Sequence, residues 1–127
     1  MLKARTTMKA NIFHVKQVCT NVKIRAEWET ILYDLQAFDV TCDMNSMKVY
    51  YVYKSPRVGF IGVLDRDFLM QMDLHWDYPE KGMMTTICTS VEDDRMPPFK
   101  GKVRATAHVM GFVMKPAGTD SEGNDLT

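Results

Sequence analysis

The chain predicts an α+β domain, with two short helices followed by an antiparallel meander of at least five long strands, the helices gathered on one side of the sheet. Three observations lead there. Near the N-terminus apolar residues recur at helical spacing, whereas from Ile31 onward apolar and polar residues alternate with a period of two. Gly, Pro, Asn and Asp punctuate the second region at intervals suited to turns.

Thr6 or Thr7 supplies a helix N-cap. Met8, Ile12, Val15 and Cys19 then follow at spacings of four, three and four, which places them on one helical face. This helix is expected to stop near Thr20-Asn21. A second, over about residues 22–30, presents Ile24 and Trp28 to the same core.

Ile31, Tyr33, Leu35 and Ala37 alternate with Asp34 and Gln36, and Phe38, Val40 and Cys42 then take over the apolar parity, so the first strand is long with a bulge near Ala37-Phe38. Asp43-Met44-Asn45-Ser46 is a turn, and residues 47–54 return as a hairpin partner rich in β-branched and aromatic side chains. Alternation there favours Val49, Tyr51 and Tyr53 on the inward face, while a register that sets Val52 opposite Arg66 favours the other face. Ser55-Pro56-Arg57 ends the strand, and a loop with Gly59 and Gly62 leads to the next. Tyr78-Pro79-Glu80-Lys81-Gly82 is a further turn, residues 83–91 are a Thr-rich strand, and residues 92–101 form a polar loop around Pro97-Pro98. Residues 102–115 read as one more long strand, Gly118 belongs to an acidic turn, and Leu126-Thr127 begins another strand.

The stretch 63–76 carries the most information. Leu64, Phe68, Met70, Met72, Leu74 and Trp76 occupy one parity, and Asp65, Asp67, Gln71, Asp73 and His75 the other, the signature of a half-buried strand. Arg66 breaks the pattern on the apolar side. An unpaired buried guanidinium costs several kcal/mol, so Arg66 needs a carboxylate, a wet cavity, or a place near the rim where its head reaches water. Arg104 shares parity with Lys102, Thr106 and His108 and is expected to face solvent.

A chain of 127 residues, 46% hydrophobic and 25% charged, is one ordinary globular domain. Sixteen basic and sixteen acidic residues cancel, leaving no net field to attract nucleic acid. The first acidic residue is Glu27, preceded by Lys3, Arg5, Lys9, Lys16, Lys23 and Arg25. That acid-free start has the composition of a mitochondrial transit peptide, yet it runs directly into folded sequence. With no secretory signal, no transmembrane-length apolar run and three widely spaced cysteines, the expected location is intracellular, cytoplasmic, with the mitochondrion as the alternative. His14, His75 and His108 lie on different elements without a nucleophile pattern, and no phosphate loop or metal-ligand spacing occurs. Neither catalysis nor a cofactor or metal is expected.

Arg25-Ala26-Glu27-Trp28, Lys54-Ser55-Pro56, Arg66-Asp67-Phe68-Leu69, Thr89-Ser90-Val91-Glu92 with Pro97-Pro98, Val103-Arg104-Ala105 and Gly111-Phe112-Val113 follow one another through nearly the whole chain. In order and approximate spacing they resemble a START domain, the lipid-transfer domain named after the steroidogenic acute regulatory protein. The resemblance implies a helix-grip fold, a curved antiparallel β-sheet around a hydrophobic tunnel that holds one lipid or sterol. Its function is then non-catalytic lipid binding and transfer, with Arg66, Phe68, Met70, Met72, Tyr51, Met84 and Val109 expected at the lipid. Methionines line adaptable pockets but equally fill irregular cores.

The sequence departs from the family in three ways. Trp28-Glu29 stands where Trp-Asp is usual. Val52 falls where the family often has an acidic partner for the arginine, which leaves Asp39, Asp43 or a lipid headgroup for Arg66. The resemblance also stops short at both ends, lacking the usual C-terminal lid helix, which suggests a fragment or a shortened domain capped by another protein. Transient membrane contact and a protein partner on the open sheet edge are the corresponding partner expectations, and the rival function is that of an accessory subunit without lipid transfer.

Overall fold

The computed structural model describes residues 3–58 and 61–127. Helices α1 (Ile12–Thr20) and α2 (Val22–Trp28) precede β1 (Leu32–Phe38), β2 (Ser46–Tyr53), β3 (Arg57–Val58), β4 (Ile61–Gly62), β5 (Asp65–Trp76), β6 (Met84–Ser90), β7 (Lys102–Arg104), β8 (Met110–Met114), β9 (Gly118–Thr119) and β10 (Asp125–Leu126). The main sheet has the order β1-β2-β5-β6-β8, with β7 added alongside β5. Its α+β class and helix-first order are those expected from the sequence.

The helix caps differ from the expectation. Asn11, not Thr6 or Thr7, caps α1 by accepting from the His14 amide at 3.0 Å. Asn21 ends α1 and also caps α2, accepting from the Lys23 amide at 3.0 Å, which explains the stop at Thr20-Asn21. Met8 lies outside the helix and exchanges two backbone hydrogen bonds with Thr127, while Lys9 pairs with Asp120 and Glu122, so the N-terminal segment is tied to the β9–β10 hairpin. Val15 and Cys19 pack on Leu74, Met84 and Met114 as the helical spacing implies. Trp28 does not join the core: it is half exposed, and its indole nitrogen donates to the Val18 carbonyl, stapling the two helices together.

Strand β5 is the spine of the sheet. On its helix-covered face Met70 pairs across from Val49 and Met72 across from Met47, and these join Leu32, Tyr51 and Cys88 in one core cluster beneath Val22. The other face, expected to be polar, is also covered. Tyr50, Val52 and Leu69 are buried there under Phe38, Val91 and Met96, because the 91–101 loop folds back across the sheet. Leu64 precedes the strand and stays exposed. The register settles the tyrosine parity: Tyr53, not Val52, stands opposite Arg66, so Val49, Tyr51 and Tyr53 share the Arg66 face. The β1 irregularity lies between Leu32 and Asp34 rather than near Ala37-Phe38, and it brings Leu32, Leu35 and Ala37 onto that same face.

The long strand expected over residues 102–115 is two strands with different partners. β7 pairs with β5 in parallel, and β8 pairs with β6 antiparallel. The meander is therefore not wholly antiparallel. The first half docks beside Asp65–Asp67, and Ala107 then accepts from and donates to Ser90, carrying the chain over to β6. At Gly111 the backbone of β8 approaches so closely that a Cβ would lie 1.9 Å from the Thr86 carbonyl oxygen. Gly59, expected in the loop before β5, lies outside the described residues.

Candidate functional site

An open cleft of about 410 Å³ lies on the helix-covered face at the end of β2 and the start of β5. Tyr53, Phe68, Met70 and Met110 form its apolar walls; Lys54, Ser55, Pro56 and Arg66 form its mouth. The register accounts for this composition. Tyr51↔Phe68 and Tyr53↔Arg66 are direct cross-strand pairs, and the Tyr53 and Phe68 rings meet edge to face at 5.7 Å. Arg66 thus shares its side of β5 with Phe68 and Met70 but precedes them, at the strand's beginning, where the side chain is exposed.

Arg66 donates to the Ser55 hydroxyl at 3.0 Å. Among the described residues no carboxylate lies within ion-pair distance of it. The two expected partners are engaged elsewhere: Asp39 pairs with Arg95 and Lys48, and Asp43 accepts from Thr41 and Asn45. Asp65 is also occupied, accepting from the Ser55 amide and the Tyr33 hydroxyl at 2.9 Å each. A guanidinium has five N–H donors, and the single bond to Ser55 leaves the fork available.

Of the residues expected at a lipid, the structure brings Arg66, Phe68 and Met70 to the cleft. Tyr51 is buried behind the wall, Met72 lies in the core cluster and beside a much smaller hollow near Lys16, and Met84 is sealed under α1. Val109 is 62% exposed and lies outside the cleft, on the segment leading into β8. Tyr53, on the inward face that alternation favours but not expected at the lipid, and Met110, which strand parity did not single out, complete the apolar lining.

Arg25 is the second arginine of this face, and sequence reading missed it. It sits buried on α2, forms an i,i+4 ion pair with Glu29, lies over the Tyr51 ring at 4.9 Å, and donates to the Tyr53 hydroxyl at 3.1 Å. Burial opposes its charge, but Glu29 and the two phenols outweigh that, so its pKa is raised. The same burial pushes the Tyr51 phenol above its ordinary range and the Cys88 thiol up to about 11, with Arg25 partly offsetting both. Arg25 consequently holds α2 to the wall of the cleft through Tyr53.

The charge expected to face solvent, Arg104, instead lies on the opposite face of β5, paired at 2.8 Å with the fully buried Asp67. Its guanidinium also donates to the carbonyls of Met96 and Pro97, pinning the loop that covers that face. The two consecutive charges of β5 are thereby divided: Asp67 is locked into the core and Arg66 opens toward the cleft. Among the described residues no cluster of three or more metal-ligating side chains occurs, and no helix is long and apolar enough to cross a membrane.

No family profile and no curated protein matches this sequence. Solved structures do. The chain is similar to human StAR-related lipid transfer protein 5 at TM-score 0.75 and 18% identity, over 94% of this chain and 54% of that one. Human STARD10 matches at TM-score 0.72 and 16% identity, over 92% of this chain and 43% of that one. The lipid transfer and protein localization domain of human StarD13 matches at TM-score 0.71 and 23% identity, over 95% of this chain and 55% of that one. The chain spans about half the length of these structures, and its two helices over an open, mostly antiparallel sheet have the START helix-grip fold.

Proposed function

We propose that this chain is a non-catalytic lipid-binding module that holds one ligand in the cleft, its apolar part against Tyr53, Phe68, Met70 and Met110 and its polar end at Arg66. The observation that carries the reading is an open apolar cleft whose mouth holds an arginine with free donor capacity. A volume of about 410 Å³ is within the ordinary range of small-molecule sites. Transfer of apolar surface into it contributes roughly 25 cal/mol per Å² buried. Lipid transfer by proteins of the same fold supports the ligand class.

Loading from a membrane fits the surroundings of the mouth. Ser55 and Pro56 lead into the β3–β4 hairpin, which pairs with itself and not with the main sheet, and Val63 and Leu64 beyond it are each 54% exposed. Exposed apolar side chains next to Lys54 and Arg66 suit transient contact with a lipid surface.

A second reading, an accessory subunit that has given up lipid binding, draws on the edge strand β8, beside which Val109 and within which Val113 are both 62% exposed. Native mass spectrometry of protein purified gently from its own source, followed by lipid extraction, separates the two. One co-purifying lipid per chain supports the binding module; a lipid-free chain found only within a larger complex supports the accessory subunit.

A further inference from the structure

We propose that the cleft selects an anionic single-chain amphiphile, one whose head presents a carboxylate or phosphate oxyanion to Arg66, over sterols and uncharged lipids. This deepens the lipid-binding reading above and rests on it.

Charge at the mouth of the cleft is unbalanced. Around the mouth the carboxylates that sequence reading offered to Arg66 are consumed by other partners, Asp39 by Arg95 and Lys48 and Asp43 by Thr41 and Asn45. Asp65, adjacent in sequence, is turned to the Ser55 amide and the Tyr33 hydroxyl. Asp67, the next carboxylate, points to the opposite face and belongs to Arg104. The helix-face cation farther in, Arg25, has its own carboxylate in Glu29. Among the described residues Arg66 is therefore left with a neutral hydroxyl, Ser55, as its protein partner at 3.0 Å.

A rigid fork of donors beside an apolar wall is matched best by a group with two acceptor oxygens and a negative charge. A sterol hydroxyl or an ester carbonyl would satisfy one donor and leave the charge uncompensated as the tail covers the mouth and displaces water. Ser55 is suited to help, since its hydroxyl accepts from Arg66 while donating to the Leu64 carbonyl, which holds the guanidinium at the rim. The cleft's size argues in the same direction. About 410 Å³ lies toward the lower end of the range for small-molecule sites and suits one apolar chain better than a diacyl lipid.

The test compares matched ligands at submicellar concentration by native mass spectrometry and calorimetry: oleate, methyl oleate, oleoyl lysophosphatidate and cholesterol. Oleate or the lysophosphatidate is expected to bind about tenfold or more tightly than methyl oleate, with the difference shrinking as salt is raised. The Arg66→Gln variant is expected to bring the anionic ligand's affinity down to that of the ester. Which of oleate and lysophosphatidate binds more tightly identifies the head as carboxylate or phosphate. Equal binding of oleate and methyl oleate by the unaltered protein, or a preference for cholesterol, overturns the selectivity while leaving the lipid-binding reading intact. Binding of none of the four overturns both. The comparison on the unaltered protein stands even if Arg66→Gln fails to fold.

Discussion

Asp67 and Arg104 form a 2.8 Å ion pair between β5 and β7, with the carboxylate wholly buried and the guanidinium largely so. The pair lies one residue from Arg66 yet on the other face of the sheet. Removing Arg104 leaves an uncompensated charge in the core, so Arg104→Leu is expected to cost about 3 kcal/mol, and the Asp67→Leu, Arg104→Leu double variant to recover much of it. Urea unfolding of the two single variants and the double variant measures the coupling.

Gly111 is a steric requirement of the β6–β8 ladder. A methyl group there would meet the Thr86 carbonyl oxygen at 1.9 Å, a contact that backbone must move to relieve. Gly111→Ala is expected to destabilise by about 1–3 kcal/mol and to weaken amide protection in β8 before that in β2. Hydrogen exchange resolves the two strands.

Arg25 ties α2 to the cleft wall through the Tyr53 hydroxyl. Tyr53→Phe keeps the ring and its edge-to-face contact with Phe68 but removes that hydrogen bond, so the expected loss is about 1 kcal/mol. Arg25→Met also strands the partly buried Glu29 and is expected to cost more, about 2–3 kcal/mol. Thermal unfolding of both variants orders them.

Burial raises the Cys88 thiol from an ordinary 9.0 to about 11. Because the folded state binds this proton more tightly than the unfolded chain, its contribution to stability is complete below about pH 9 and is lost as pH rises through about 11. Cys88→Ala is therefore expected to flatten the alkaline end of the stability curve without altering its shape near neutrality. In thiol labelling at neutral pH, exposed Cys42 is expected to react promptly, and buried Cys19 and Cys88 only on unfolding.

Much of this fold follows from local pattern. The helical spacing of Val15 and Cys19, the stop at Asn21, and the shared face of Arg66, Phe68, Met70 and Met72 are consequences of side-chain periodicity, and all are present in the structure. Periodicity fails where both faces of a strand are covered. Tyr50 and Val52 are as apolar as Val49 and Tyr51, so alternation in β2 only favours one of two inward sets, and its pairing with β5 decides between them. Asp67 reads as a solvated odd-parity residue because the partner that neutralises it comes from β7, far along the chain. The break between β7 and β8 carries no Gly or Pro; Ala105, Thr106 and Ala107 are compatible with a continuous strand, and tertiary pairing alone divides it. Arg25 did leave a signal, its i,i+4 spacing to Glu29, but its burial depends on the two tyrosines of β2. Of the cleft, the β5 contribution was legible, Tyr53 of β2 was favoured inward without being assigned to the lipid, and Met110 of β8 was not legible.

Occupation of the cleft between β2, β5 and β8 by a lipid is reported by the methionines individually. Met70 and Met110 line the cleft, whereas Met84 and Met114 are sealed beneath α1. In a protein carrying ¹³C-labelled methionine methyl groups, titration with oleate is expected to shift the Met70 and Met110 signals in parallel and saturably at one equivalent, with Met84 and Met114 nearly unmoved. Saturable shifts confined to Met84 and Met114, or no shift of Met70 and Met110 for any lipid, would contradict it.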